Sequence, residues 1–321
     1  MLIQTVEEYI NKHELIKNGQ VLVVGLSGGP DSVFLLHALK KIYSQSLTLI
    51  AAHINHEWRP DSHRDVELCR NLCAELKIPL HITTLQELKL TLKFNGSAEE
   101  YGRKARRHFF ESLAINYKAD SVALGHHAQD QQETFFIRLI RGSSLSGLCS
   151  MWPRKGLYIR PLLAISKQDI LTYLTTHHIA YIQDYTNDDF SYLRNRIRHT
   201  LMPAFEQIDN RAGTNLTKTI TNLQHDQELL EWVTHAYFTK LYNESLQALN
   251  IDQLLKLPSS LINRILIAWM VQHQVPFVPS NAFFQEIIRF LSVATNSQHA
   301  LHTHWTIAKN NGLAQIIVKK S

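Results

Sequence analysis

Val21-Leu22-Val23-Val24-Gly25-Leu26-Ser27-Gly28-Gly29-Pro30-Asp31-Ser32, with Val33-Phe34-Leu35-Leu36-His37-Ala38-Leu39 behind it, is the stretch that decides the fold. Val21 to Val24 is short, rich in β-branched residues and without polar alternation. Such a run suits a strand covered on both faces, as in a parallel sheet. Ser27-Gly28-Gly29 ends it. Paired glycines open backbone angles closed to other residues and let a ligand approach the main chain. Asp31 and Ser32 are capping residues, Pro30 suits a first helical turn, and Val33, Leu35, Leu36 and Leu39 recur at helical spacing. A strand, a glycine turn and a helix N-terminus make an anion cradle, because free N–H groups and the helix dipole point at one spot. A phosphate site is the first reading. A Walker A loop would need a Lys after its second glycine, and none stands there. The spacing G-x-G-x-x-G is not met either. Gly25-Leu26-Ser27-Gly28-Gly29 does fit G-x-S-x-G, which would make Ser27 the nucleophile of a hydrolase. A tight turn without a ligand fits the same letters.

Outward from this stretch, strands and helices alternate. Residues 4–17 read as a helix with Thr5 as cap and Glu8 three residues on. Leu47 to Ala52 is a second buried strand, leading into His53-Ile54-Asn55-His56 and Arg59. Polar residues just past the carboxyl end of a parallel strand lie where such sheets place ligands. Two ordinary loop histidines are the plainer alternative. A helix over 62–77 buries Val66, Cys69, Leu72, Cys73 and Leu76, and Pro79 to Thr84 is a third strand. A helix over 96–118, opened by Ser97, carries Arg103, Lys104, Arg106 and Arg107, either a solvated face or a phosphate-binding one. Ser121 to Gly125 is a fourth strand, followed by the polar run from His126 to Thr134. Leu157 to Leu163 is a short strand before a helix capped by Ser166. This alternation predicts a doubly wound parallel α/β sheet over residues 1–210.

Between Asp184 and Arg198, Asn187, Asp188, Asp189, Arg194, Asn195, Arg196 and Arg198 crowd together. The three arginines cannot share one helical face. Some can pair with Asp188 or Asp189 and others can face RNA phosphates. After about residue 210 the pattern is helical without buried strands. It closes on a hairpin from Leu301 to Lys319 around Asn311-Gly312, since Asn-Gly favours positive φ. Residues 211–321 are thus expected to form a second, mainly helical domain.

The 321 residues exceed a typical single core. A net charge of +5 is compatible with a nucleotide or RNA partner but weak alone. Three cysteines make no disulfide framework and no C-x-x-C pair, so buried thiols and a cytoplasmic setting are expected. No secretory signal and no membrane-spanning run is evident.

With the motifs assembled, the chain resembles the tRNA(Ile)-lysidine synthetase family of the PP-loop ATP pyrophosphatases, closely over about residues 20 to 205. Ser27-Gly28-Gly29-Pro30-Asp31-Ser32 resembles the SGGxDS signature. His53 to His56 with Arg59 and Ser62 resembles V-[DN]-H-x-x-R-x-x-S, and Glu100, Arg103 and Arg106 resemble E-x-x-R-x-x-R. His126 to Thr134, continued by Arg138, Arg141 and Gly142, resembles H-H-x-D-D-Q-x-E-T, except that Gln129 stands where the first Asp is due. Arg160 to Leu163 resembles R-P-L-L, and Asp184, Asn187 and Arg194 to Arg198 resemble D-x-x-N and R-N-x-I-R.

The resemblance implies a nucleotide fold of the adenine nucleotide alpha hydrolase type. It implies ligation of free L-lysine to C2 of the wobble cytidine of a tRNA(Ile) with a CAU anticodon, using ATP and Mg²⁺ and passing through an adenylated cytidine. Ser27, Gly28, Gly29, Pro30, Asp31, Ser32 and His53 would bind the nucleotide, and Asp31 with Asp130 the metal. Asp130 and Glu133 would hold lysine. Arg103 and Arg106 would hold a phosphate or the adenylate, and His127 would take a proton. Arg194, Asn195, Arg196 and Arg198 would meet tRNA. Family members often act as dimers, and no stripe here marks a dimer face. The rivals are a serine hydrolase using Ser27 and a non-catalytic nucleotide- or tRNA-binding protein, the latter suggested by Gln129.

Overall fold

The computed structural model describes residues 1–44, 46–57, 62–88, 98–182, 190, 192–293 and 295–318, with the side chains of 98 and 99 set aside. Arg59, Ser97, Asp184, Asn187, Asp188, Asp189 and Lys319 lie outside the described residues. The chain divides into two compact units, Met1–Gln224 and His225–Ser321.

The first unit is built on β1 (Val21–Gly25), β2 (Thr48–Asn55), β3 (Leu80–Thr84), β4 (Ser121–Ala123), β5 (Arg154–Lys155) and β6 (Tyr158–Ile159). The sheet order is β3-β2-β1-β4-β6-β5, parallel except for the β5–β6 edge. The run Val21 to Val24 is central, as a strand buried on both faces must be. Leu22 and Val24 join the core beneath α1 (Leu2–Lys12), α2 (Pro30–Tyr43), α3 (His63–Leu76) and, in chain order after three further helices, α7 (Lys167–Thr176). Val23 points the other way, toward Phe109, Phe110 and Leu113 of α4 (Ala98–Tyr117). β1 pairs with β2 on one side and β4 on the other, so the crevice between the loops after β1 and β4 is the switch point of the sheet.

Three local expectations are corrected. The first helix starts at Leu2, and Thr5 bonds back to the Met1 carbonyl rather than capping. The strand expected over 157–163 is only Tyr158–Ile159, because Arg154–Lys155 folds against it as a hairpin. A buried strand does occur after residue 210, as shown below.

α5 (Ala128–Ile140) follows β4, with the short α6 (Leu145–Leu148) after it. Arg138 of α5 holds the end of α6 through the carbonyls of Gly147 and Ser150, at 2.6 and 3.0 Å. Past α7, the short α8 (Leu193–Arg196) runs through a π-helical turn (Ile197–Leu201) into α9 (Met202–Ile208). The 30-residue α10 (Ala212–Leu241) comes next.

The second unit is a five-stranded antiparallel sheet under helices. β7 (Tyr242–Asn243) and β8 (Ala248–Asn250) precede α11 (Ile251–Leu254), α12 (Ser259–Gln272) and α13 (Asn281–Ser292); β9 (Gln298–His302), β10 (Trp305–Asn310) and β11 (Leu313–Val318) close the chain. The order is β7-β8-β11-β10-β9. The Asn311-Gly312 turn has φ of 49° and 75°, the positive angles that a tight hairpin requires. β8 pairs with β11, so the hairpin is part of a wider sheet. The stretch from Leu301 to Ile307 belongs to two strands, divided by a turn at Thr303-His304, and their pairing shifts register at Trp305/Thr306. Leu229 and Trp232 of α10 are exposed. Trp269, Ile265, Leu266, Phe284, Ile287 and Ile307 fill the core of this unit. Buried Lys309 sends its ammonium to the Phe290 and Val293 carbonyls and across the Phe290 ring, closing the C-terminal end of α13.

Gly125, just past β4, tests how tightly the switch point is built. A Cβ there would lie 3.0 Å from the backbone C and O of Asp31 and 3.1 Å from the Ser32 nitrogen, where main chain cannot yield. Gly125→Ala is expected to cost about 1–3 kcal/mol, as overpacking does, read as a lowered urea midpoint with an unchanged slope.

Candidate active site

The loop after β1 holds its own shape. Gly28 has φ +85° and its carbonyl accepts from the Ile182 N–H at 2.9 Å. The Ser32 hydroxyl accepts from the Ser27 N–H at 3.0 Å and donates to the Gly29 carbonyl at 2.9 Å. Ser27 Oγ lies 3.1 Å from Ser32 Oγ and accepts from the Gly29 N–H at 3.3 Å. Among the described residues, no histidine hydrogen-bonds Ser27. Asp130 and His177, the partners a hydrolase would recruit, are committed elsewhere, His177 to the Tyr173 carbonyl and ring. Ser27 is a loop-shaping residue, and the nucleophile reading fails.

Pro30 opens α2, so Asp31 sits in its first turn. The loop after β4 comes alongside. His127 is the N-cap of α5, and its own N–H donates to Asp130 Oδ2 at 3.0 Å. The His127 Nε2 is 3.8 Å from Asp31 Oδ1 and 3.5 Å from Asp130 Oδ2. The two carboxylates therefore flank one buried imidazole. Burial alone would raise the Asp130 pKa, but His127, Arg194 and His126 together hold it below the usual carboxylate range. One turn on, Glu133 is buried and accepts Arg194 Nε at 2.6 Å and Arg198 Nε at 2.6 Å. Arg194 also reaches Asp130 Oδ1 at 2.9 Å. Positions 194 and 198 are four apart and share a face; Arg196 turns outward and bonds the Phe190 carbonyl. Of the residues expected to meet RNA, Arg196 is exposed, Asn195 is buried, and Arg194 and Arg198 close on the acids of α5.

The other neighbours are structural supports. Gln131 accepts the Met151 N–H at 2.7 Å, and Gln132 donates to the Gly213 carbonyl at 2.9 Å. His53 is buried with Nδ1 2.9 Å from the Leu26 carbonyl, which makes it the donor there, and burial lowers its pKa. Its Nε2 is buried without a hydrogen-bond partner among the described residues. Arg103 is exposed and pairs with Glu100 at 2.7 Å, and Arg107 pairs with Glu111 at 2.8 Å, so much of the α4 charge run is an intrahelical ion-pair face. Arg106 lies near enough to His56 to depress its pKa. Cys69, Cys73 and Cys149 are free and buried. Burial pushes Cys69 up to about 12 and Cys73 to about 11, which makes both inert.

Sequence reasoning missed two participants. Lys167, the first residue of α7, places Nζ 2.6 Å from Asp31 Oδ1. Gln129, the departure from the expected pair of acids, gives its carbonyl to the Lys167 N–H at 2.9 Å. The pattern Arg160-Pro161-Leu162-Leu163 four residues before Lys167 was the available signal. Among the described residues, no group of three or more His, Cys, Asp or Glu forms a self-sufficient metal site. No helix among them is long and apolar enough to cross a membrane.

A family model described as a PP-loop domain matches residues 2–205. The chain belongs to the PP-loop family. Its glycine loop, switch-point crevice and flanking helices are the PP-loop portion. A tRNA(Ile)-lysidine synthase from Bacillus subtilis (strain 168) is 31% identical over 303 residues, covering 92% of this chain and 64% of that protein. One from Geobacter sulfurreducens is 36% identical over 232 residues, covering 71% and 49%. The chain thus spans 64% and 49% of the length of these two curated relatives. The solved U34-tRNA thiolase NcsA from Methanococcus maripaludis, described with a 4Fe-4S cluster, matches with a TM-score of 0.59 at 19% identity, covering 70% of this chain and 79% of that one. That likeness shows the PP-loop fold alone.

The crevice histidines make the PP-loop unit acid-sensitive. Burial holds His126 and His56 each down to about 4, against an ordinary 6.5. Unfolding restores the ordinary value, so between those limits the unfolded chain binds more protons than the folded one. Stability is fully present above about pH 6.5 and declines toward pH 4, by up to about 1.4 kcal/mol per pH unit for each imidazole. Urea unfolding across that range checks this, and His126→Gln should flatten the slope.

Proposed function

We propose that this chain is an ATP-dependent tRNA(Ile)-lysidine synthase. The observation that carries the reading is the meeting of Asp31, His127, Asp130 and Glu133 at the switch point, beside the glycine loop. The relatives' name points to tRNA(Ile) and lysine, and the PP-loop domain to ATP; on this reading the lysine is free L-lysine and the modified base is the wobble cytidine of a CAU anticodon.

The loop from Ser27 to Ser32, at the start of α2, cradles pyrophosphate through backbone N–H groups. His53, buried against the loop, borders the same nucleotide site. The C2 carbonyl oxygen of the cytidine attacks the α-phosphorus as pyrophosphate departs. The lysine ε-amine then attacks C2, and that oxygen leaves with AMP. Catalysis here is positioning and charge stabilisation. Asp130 and Glu133 form the acid pair that a lysine ε-ammonium requires, at the place where Arg194 now bonds both. His127, with Nε2 between the two aspartates, accepts the proton that lysine sheds. Arg106, beside His56, and Arg103 supply positive charge for a phosphate or the adenylate. Arg196, exposed near Phe190, meets tRNA phosphates, with Asn195, Arg194 and Arg198 supporting it from within. Residues 1–210 carry the chemistry and 211–321 add RNA contact, so binding falls as salt rises.

Magnesium fits this donor set through Asp31. One carboxylate at a partly exposed helix start, completed by substrate phosphates, is how that ion is commonly held. Asp130 is the second candidate ligand, although its two oxygens already serve the His127 N–H and Arg194. When bound, the ion supplies neutralisation of phosphate charge. The setting is the cytoplasm, where tRNA, ATP and free lysine coincide.

Mass analysis of the wobble nucleoside after incubation with ATP, lysine and tRNA(Ile) tests the reading. Lysidine should appear only with all three, together with AMP and pyrophosphate; cytidine left unchanged overturns it. Asp31→Ala should reduce adenylation by roughly a hundredfold or more, with tRNA affinity within about threefold of the unaltered chain.

A further inference from the structure

The loop between β1 and α2 carries no lysine of its own, yet it binds a polyanion on the reading above. The charge is supplied from elsewhere in the chain. Lys167 lies 136 residues beyond Asp31 in sequence, and its Nζ is 2.6 Å from Asp31 Oδ1. Asp31 is in the first turn of α2, so this ammonium stands at the helix N-terminus to which the loop leads. Lys167 is also the first residue of α7, and a third helix, α5, begins beside it at Ala128. An ammonium facing the positive ends of helices is poorly placed unless an anion sits with it. Asp31 is that anion here. A phosphate oxygen arriving at the loop offers a better one, with more charge and several acceptor oxygens.

The mounting of Lys167 is specific. The Ala128 N–H donates to the Ile165 carbonyl at 2.9 Å, and Gln129 Oε1 accepts the Lys167 N–H at 2.9 Å. Two bonds thus tie the start of α7 to the start of α5. Ser166 caps α7 by accepting the Asp169 N–H at 3.0 Å. The Lys167 side chain beyond this mounting is about a third exposed, at 32%. A carboxylate at position 129 would add a competing anion next to this lysine. The neutral amide of Gln129 holds the backbone and leaves the ammonium to Asp31.

We propose that Lys167 is the basic phosphate ligand of the glycine loop, held at Asp31 and passed to the nucleotide's phosphate oxygens, and that Gln129 is the residue that positions it. This rests on the ATP-dependent reading of the same site. No bond is made or broken in the transfer; one ammonium exchanges a carboxylate partner for a phosphate partner.

The test is isothermal titration of the whole chain with a non-hydrolysable ATP analogue and, separately, with adenosine, at one fixed Mg²⁺ concentration. Lys167→Met should weaken the analogue at least about tenfold, as loss of a charge-assisted bond does, and leave adenosine within about twofold. Lys167→Arg should keep the analogue within about threefold. Gln129→Met should weaken the analogue by an intermediate amount, and Gln129→Glu should not restore it, because the added charge holds the ammonium back. Equal analogue affinity for Lys167→Met and the unaltered chain overturns the proposal, as does a matching loss of adenosine. If Gln129→Met binds the analogue like the unaltered chain, the positioning role falls while the lysine role stands. An unaltered chain that binds neither ligand removes the ATP-dependent reading and this inference with it.

Discussion

Asp31 sits where the N-termini of three helices converge. It belongs to the first turn of α2, lies 3.8 Å from the N-cap imidazole of α5, and accepts the first side chain of α7 at 2.6 Å. Each N-terminus carries roughly half a positive charge. Three of them, with Lys167, outweigh the carboxylates of Asp31 and Asp130. Nearby, buried Glu133 faces two guanidiniums, which adds to the excess. The crevice is therefore net positive although its most conspicuous residues are acids. That balance favours a phosphate chain over a bare metal ion. It also explains why Asp130 stays ionised despite its burial. Removing Asp31 would leave the three helix ends and an ammonium without their common partner.

The approach of backbone to backbone at Gly125 makes the convergence possible. With no side chain there, the end of β4 lies against the main chain of Asp31 and Ser32, and His127 comes within reach of both aspartates. Gln131 and Gln132 then fix α5 from its buried side. The polar run from His126 to Thr134 thus has two jobs on two faces. His127 and Asp130 face the crevice, and the glutamines pin the helix.

Much of this was legible before any coordinates. Val21 to Val24 announced a doubly buried strand because nothing in it was polar, and the sheet puts Leu22 and Val23 into different cores. The glycine loop and the acids of α5 were legible because their chemistry is local in sequence. Legibility failed where a role depends on a distant partner. The spacing of Arg194, Arg196 and Arg198 left open which of them pair with acids, and Glu133, the acid that two of them meet, lies some sixty residues earlier in the chain. Lys167 looked like an ordinary helix start. β8 was invisible because three residues give no period, and only pairing with β11 defines it. Gln129 was the reverse case: it read as a defect, and the structure gives it a bond.

The bond between Lys167 and Asp31 also bears on how the crevice comes into being during synthesis. The glycine loop is complete once α2 has formed, early in the chain. Its cation arrives only after β4, α5 and the β5–β6 edge are in place, since those elements carry the chain to α7. Contacts so far apart in sequence form late, because the intervening loop must be closed first. A ribosome-bound chain that has emerged only as far as α6 would display the whole glycine signature and still lack the ammonium beside it. The signature alone is thus an unfinished site, and grafting it onto another strand and helix would transfer its shape without its charge.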